Sequence, residues 1–105
     1  MTKPSKYRNV KKVVDNVTFH SIREADRYIA LKTLFRAGEI FDLALQPFFD
    51  FKLDGKKMFR YIADFSYTEK DGETVIEDVK GAKTAVYRLK KKLIEHQHGI
   101  RILET

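Results

Sequence analysis

Apolar residues in this chain follow two different spacings, which predict where its helices and strands lie. Ser21 followed three residues later by Glu24 is typical of a capping box, and apolar residues then recur at helical spacing. Gly38 suits the C-terminal stop. We therefore predict a first helix over residues 21–37. Its apolar positions are Ala25, Tyr28, Ile29, Leu31, Leu34 and Phe35.

A second helical pattern covers residues 83–98 and ends at Gly99. We expect an apolar stripe on one side of this helix and charged residues on the other. The stripe consists of Val86, Leu89, Leu93 and Ile94. The outward charges are Arg88, Lys91, Lys92 and Glu95.

The remaining apolar runs have the length and turn signals of strands. Residues 13–19 read as two short extended pieces around an Asp-Asn turn, and residues 100–103 as a short closing strand. Between the helices we predict three strands, at 45–53, 58–67 and 74–80, separated by Asp-Gly turns. The expected fold is a mixed α/β (α+β) domain of order α-β-β-β-α-β with a short N-terminal β arm.

Length and charge narrow the class of protein. With 105 residues the chain fits one small domain, which we place at 13–105 after a basic arm at 1–12. The formal net charge of +6 suits a polyanionic partner. Absence of cysteine excludes disulfides and thiolate metal sites. No apolar run is long enough for a membrane helix and no N-terminal signal region is present, so we expect a cytoplasmic protein without a membrane partner.

Three residues carry the candidate chemistry. Asp64 ends one predicted strand, and Asp78 and Lys80 share one face of the next, because side chains alternate along a strand. If the two strands pair as a hairpin, Asp64 can lie beside Asp78. Paired carboxylates are hard oxygen ligands suited to Mg²⁺ or Mn²⁺, and phosphate esters are natural substrates for such a site.

Residues at these positions resemble the PD-(D/E)xK nuclease superfamily, whose core has the order α-β-β-β-α-β. Asp64 matches the first acid of the motif, Asp78-Val79-Lys80 matches the (D/E)xK element, and Glu24 matches an acid on the first helix. Ala63 replaces the proline that names the motif. More closely, the chain resembles a phage-encoded family classed as domain of unknown function 1064. The matching segments are 6–9, 19–25, 36–40, 45–47, 61–65, 77–81 and 86–90.

This resemblance implies a Mg²⁺- or Mn²⁺-dependent endonuclease that hydrolyses DNA phosphodiester bonds, acting in recombination, repair or branched-DNA resolution. Asp64, Asp78, Glu24 and the carbonyl of Val79 would hold the metal, and Lys80 would position the attacking water. A phage origin implies the cytoplasm of the host cell. Cutting both strands would require a homodimer. The alternatives are a non-catalytic nucleic-acid-binding module and a phage interaction protein on a nuclease-like fold.

Three polar residues near this site have competing interpretations. As the third residue of a capping box, Glu24 needs no metal to explain it, so cap and ligand stay open. Glu77 should face away from Asp78 unless a β-bulge reverses it, which makes it a reserve ligand. Gln46 could touch a metal-bound water or DNA, but we favour a structural role.

Basic residues on the N-terminal arm and the second helix are the candidate DNA contacts. A solvated surface is the alternative for both, although the second helix follows directly from the strand that ends at Lys80. The candidates are Lys6, Arg8, Lys11, Lys12, Lys83, Tyr87, Arg88, Lys91 and Lys92.

Overall fold

The computed structural model describes residues 11–79 and 83–105. The predictions for Lys6, Arg8 and Lys80 therefore lie outside the described residues. Within them the protein is mixed α+β, with two helices and several small sheets. No helix in this part of the chain is long and apolar enough to cross a membrane.

An N-terminal hairpin precedes the first helix, as predicted. Strands β1 (Lys12–Val14) and β2 (Val17–Phe19) pair antiparallel across Asp15 and Asn16. Both turn residues have positive φ, of 52° and 63°, as a two-residue hairpin turn requires. β1 begins at Lys12, one residue before the domain boundary that we expected.

Helix α1 (Ile22–Arg36) begins and ends where the sequence indicated. The Ser21 hydroxyl accepts a hydrogen bond from the Glu24 N–H at 3.1 Å, and Gly38 adopts a positive φ just beyond the last turn. Ala25, Tyr28 and Leu31 are buried against the sheet. The other predicted apolar positions on this helix, Ile29, Leu34 and Phe35, are exposed.

The prediction of one strand over 45–53 is wrong. The chain instead forms β3 (Ile40–Leu45) and β4 (Phe48–Leu53), which belong to different sheets. Gln46 and Pro47 separate them, and Gln46 has a positive φ of 52°, which turns the chain away from the first strand. Segment 40–44 escaped prediction because an Asp at 42 interrupts its apolar pattern at a β-bulge.

The prediction of one strand over 58–67 is also wrong. β5 (Lys56–Ile62) pairs with β4, and β6 (Phe65–Glu69) pairs with β3. The break falls at Ala63 and Asp64, where the chain crosses from the β4–β5 hairpin into the larger sheet. Among the described residues, five strands and not three therefore lie between the two helices.

The larger sheet has the strand order β3-β6-β7-β8. β7 (Thr74–Asp78) pairs antiparallel with β6 and parallel with β8 (Ile102–Glu104). One face packs against α1 through a cluster that contains Phe65 and Tyr67. The other face, with Ile76, packs against the second helix and the β4–β5 hairpin.

Helix α2 (Ala85–His98) connects β7 to β8, with Thr84 as N-cap and Gly99 as a left-handed C-cap. Its apolar side differs from the predicted stripe: Ile94 is buried and Leu93 partly so, but Val86 and Leu89 are 60% and 58% exposed. The half-buried Tyr87 contributes to the core in their place. The helix is short and meets both a sheet and a hairpin, so spacing alone did not locate its buried side.

Candidate functional site

Asp64 lies at the break between β5 and β6, where its backbone is fixed from two sides. Its N–H donates to the Glu77 carbonyl at 3.0 Å, and its carbonyl accepts from the Gln46 N–H at 2.9 Å. One side-chain oxygen, Oδ2, accepts from the N–H of Val79 at 2.6 Å. The carboxylate is therefore held against the end of β7.

Asp78 is the last residue of β7, and its side chain is 1% exposed. Because Phe65 pairs with Glu77, Asp64 and Asp78 come side by side, and their carboxyl groups interact electrostatically. The Tyr61 hydroxyl donates to Oδ2 of Asp78. The structure thus brings together the two acids that the hairpin interpretation placed side by side.

The surroundings of Asp64 favour its protonated form. Burial is the largest cause, and the adjacent Asp78 and the charge of Glu24 add to it, whereas the Val79 N–H opposes them. Together they raise the pKa of Asp64 to about 7. A proton or a cation between two neighbouring carboxyl groups reduces the repulsion between them.

A cavity of about 190 Å³ opens beside Asp64. Glu24 lines it from α1, Gln46 from the β3–β4 connection, and Thr18 and His20 from the N-terminal hairpin. The other lining residues are Val17, Phe19, Leu45 and Phe65. Two acids from distant parts of the sequence therefore share one cavity, which is the arrangement expected of a site.

The two interpretations of Glu24 are compatible. The capping bond uses the backbone N–H of Glu24, not its carboxylate. Its Oε1 lies 3.4 Å from the Ser21 hydroxyl, a long contact, and the half-buried carboxylate faces the cavity. The cap can therefore persist while the carboxylate serves another ligand.

Glu77 faces the opposite side of β7, as the alternation of side chains predicted. Its fully buried carboxylate accepts two bonds from Arg27, at 2.8 and 2.6 Å, and one from the Tyr67 hydroxyl. Burial acts to raise the pKa of Glu77, but the bonds from Arg27 and Tyr67 together lower it. Glu77 is thus a buried structural anion of the α1 face.

A row of neighbouring polar side chains lies beside Asp78 and consists of Tyr61, Tyr87 and Glu104. The Tyr61 and Tyr87 rings lie 6.2 Å apart, and the Tyr87 hydroxyl donates to Glu104 at 2.8 Å. Tyr87, which we predicted as a DNA contact, is half-buried here. Sequence reasoning missed Tyr61 and Glu104. The signal for Tyr61 is its position three residues before Asp64, but the prediction of one strand over 58–67 gives Tyr61 no separate role.

The candidate DNA contacts on α2 gather around one groove of about 370 Å³. Lys83, Arg88, Lys91 and Lys92 line it together with Glu95 and Glu104. Glu104 lies 3.2 Å from Lys83 and 3.5 Å from Lys91. Within the described residues no ion pair involves Arg88 or Lys92, so these two carry the groove's uncompensated charge.

The N-terminal candidates are only partly described. Lys11 is exposed. Lys12 lies in β1, where it forms a loose pair with Asp26 at 3.7 Å. Both lie on the hairpin that supplies one wall of the cavity at Asp64.

The carboxylates beside the cavity are the candidate ligands for Mg²⁺. In residues 11–79 and 83–105 no three or more His, Asp or Glu side chains are already arranged as metal ligands. The closest approach is the Asp64–Asp78 pair, with Glu24 on the wall of the same cavity. Neighbouring carboxylate oxygens are nevertheless a chemical fit for a hard divalent ion.

Residues 4–102 match the family described as "Protein of unknown function (DUF1064)". The chain belongs to this family. No curated protein and no solved structure matches it. The matched residues include Glu24, Gln46, Asp64 and Asp78.

Proposed function

We propose that this DUF1064 protein is a Mg²⁺- or Mn²⁺-dependent endonuclease that hydrolyses DNA phosphodiester bonds. The observation that carries the proposal is the contact between Asp64 and Asp78 at the edge of a cavity that Glu24 also lines. A raised carboxyl pKa in a cleft is typical of sites built for catalysis.

The sheet gives independent support. If the β4–β5 hairpin is regarded as an insertion, the larger sheet and its helices follow the order α1-β3-β6-β7-α2-β8. With the hairpin set aside, this order resembles the α-β-β-β-α-β core of PD-(D/E)xK nucleases, which supports the proposal. Asp64 and Asp78 then occupy the adjoining ends of the second and third strands of that core.

Each site residue has a separate role in the proposal. Asp64, Asp78 and the Val79 carbonyl would hold the ion, with Glu24 as a further carboxylate across the cavity. When bound, the ion would lower the pKa of a water molecule and neutralise charge at the phosphate. Tyr61 holds the Asp78 carboxylate in place through its hydroxyl. Lys80 would stabilise negative charge on the phosphoryl oxygens.

The basic groove of α2 would bind the DNA backbone through Arg88 and Lys92, without reading bases. Lys6, Arg8, Lys11 and Lys12 would add phosphate contacts from the N-terminal side. Each domain offers one candidate acidic site, so cleavage of both strands would require two copies of the chain.

Cleavage of labelled duplex, nicked, single-stranded and four-way-junction DNA, with and without Mg²⁺ or Mn²⁺, tests the proposal. We expect metal-dependent cutting of at least one substrate, which Asp64→Asn removes. Asp54→Asn is the matched control, because Asp54 lies at the tip of the β4–β5 hairpin. Cutting by wild type and Asp64→Asn at equal rates would contradict the proposal.

A second variant tests the proposed role of Lys80. Lys80→Ala should abolish cutting while DNA affinity stays nearly unchanged.

The second candidate function is a non-catalytic nucleic-acid-binding module. The observation in its favour is the basic groove on α2, which needs no metal to attract phosphate. DNA binding without cutting in any metal would support this alternative.

A further inference from the structure

Gln46 has an unusual backbone conformation for its residue type. Among the described residues, five that are not glycine have a positive φ. Four are aspartate or asparagine, whose short side chains tolerate the left-handed region: Asp15, Asn16, Asp42 and Asp54. Gln46, at 52°, is the exception. A glutamine in this region is strained, and strain of this kind is concentrated at functional sites.

The local turn does not explain the glutamine. The chain must bend between β3 and β4, and two backbone bonds of 2.9 Å fix the bend: Gln46 N–H to the Asp64 carbonyl, and Ala63 N–H to the Pro47 carbonyl. Neither bond uses the Gln46 side chain. A glycine would form the same bend without strain. The side chain therefore requires a reason other than the fold.

That reason lies in the cavity. The exposed Gln46 lines it beside Asp64 and Glu24, and its backbone N–H is bonded to the Asp64 carbonyl. Two carboxylates repel an approaching phosphate, whereas an uncharged amide offers two N–H donors to phosphoryl oxygens. Its backbone bond to the Asp64 carbonyl anchors the residue at the cavity wall.

We propose that Gln46 contacts the substrate by donating its side-chain amide hydrogens to a non-bridging oxygen of the phosphate at the Asp64–Asp78 site. This inference rests on the proposed function and adds to it a residue that recognises the phosphodiester. It replaces the structural role that the sequence favoured.

The test is the variant Gln46→Gly, which removes the side-chain amide and also removes the backbone strain at this position. The variant should unfold at an equal or higher urea concentration than wild type, while its single-turnover cleavage rate falls by about 10- to 100-fold, the scale for losing one preorganised donor. Asp54→Gly is the matched control, since Asp54 also has a positive φ but lies at the hairpin tip. It should cut at the wild-type rate.

Two cleavage results would overturn the inference. Gln46→Gly that cuts like wild type would show that the amide does not contact substrate. Gln46→Gly that loses stability and cutting together would show a structural role. A wild-type protein that cuts nothing would instead contradict the proposed function.

A binding measurement then still decides the role of Gln46. The side-chain ¹⁵NH₂ signals of Gln46 should shift when a short DNA duplex is titrated without metal. Signals that stay in place while the DNA binds would overturn the inference.

Discussion

Arg27 donates a hydrogen bond to each carboxylate oxygen of Glu77, with Nε 2.8 Å from Oε1 and a terminal guanidinium nitrogen 2.6 Å from Oε2. The next residue, Asp78, faces the other side of β7 and contacts Asp64. Two adjacent acids are thus both buried but differ in their electrostatic partners. Glu77 has a cation and stabilises the fold, whereas Asp78 has another carboxyl group.

Arg27→Ala should destabilise the protein because it leaves the Glu77 carboxylate buried without its cation. Arg27 is about one-third exposed, so we expect a loss of about 2–4 kcal/mol, somewhat below the usual range for a broken buried pair. Urea denaturation measures it. Arg23→Ala, an exposed position on the same helix, should change stability by less than about 0.5 kcal/mol. Equal losses in the two variants would contradict a buried ion pair.

The same pair predicts a loss of stability in acid. The pKa of Glu77 is lowered from its ordinary value of 4.5, so its charged form stabilises the folded state above that value. This contribution is lost as the pH falls through the lowered pKa. Glu77→Gln should therefore be less stable than wild type at pH 7, and the difference should shrink below about pH 4. A difference that does not vary with pH would exclude the ion pair as its cause.

Asp64→Asn should stabilise the metal-free protein at alkaline pH. With its pKa raised to about 7, Asp64 retains a stabilising proton at low pH, and this contribution disappears as the pH rises through that value. The gain of the variant over wild type should be larger at pH 8 than at pH 4, by roughly 1–3 kcal/mol.

The effect of Mg²⁺ or Mn²⁺ on the melting temperature gives a second test of Asp64. At pH 8 the ion should raise the melting temperature of wild type but not of Asp64→Asn, because only a ligand that binds the folded state stabilises it. Equal shifts in both proteins would place the ion elsewhere.

The variants Tyr61→Phe and Tyr67→Phe should show which face of β7 belongs to the proposed metal site. Each removes one hydroxyl donor from a buried acid, Asp78 or Glu77, and each should cost about 1–3 kcal/mol. Only Tyr61→Phe should also weaken Mn²⁺ binding, because only Asp78 belongs to the proposed site. Titration calorimetry measures this difference. Weaker Mn²⁺ binding by Tyr67→Phe alone would contradict the assignment of the faces.

Removing basic charge from the α2 groove should weaken its binding to DNA, and removing acidic charge should strengthen it. Neutralising Arg88 and Lys92 should reduce the slope of log affinity against log salt by about 0.9 for each phosphate contact on duplex DNA. Glu104→Gln should increase affinity, because Glu104 now pairs with Lys83 and Lys91. Anisotropy titrations at several salt concentrations test both. Unchanged slopes in all variants would show that this surface does not touch DNA.

Local features were predicted most successfully from the sequence. Ser21 and Gly99 cap helices through bonds that span only a few residues, and Asp15 and Asn16 form their turn within the hairpin itself. The hairpin interpretation of the strands predicted at 58–67 and 74–80 also rested on a short connection, and β6 and β7 do pair antiparallel. These contacts bring Asp64 beside Asp78, so the acid pair itself was predictable.

Features that depend on distant segments could not be predicted in this way. Apolar runs at 45–53 and 58–67 look continuous, but each is divided between the hairpin and the larger sheet, because separate sheets meet at Gln46 and at Asp64. The exposure of Val86 and Leu89 likewise depends on how α2 packs against two sheets.

The sequence by itself therefore determined the family, both helices and the acids at the ends of two strands, since short-range spacing governs them. Only the tertiary structure decided the rest. It placed Glu24 and Gln46 on the cavity beside Asp64, gave Glu77 its cation, and paired Lys83 and Lys91 with Glu104. Each of these relationships joins residues far apart in the chain, and the strength of an electrostatic contact depends on distance and burial in space, which residue spacing does not encode.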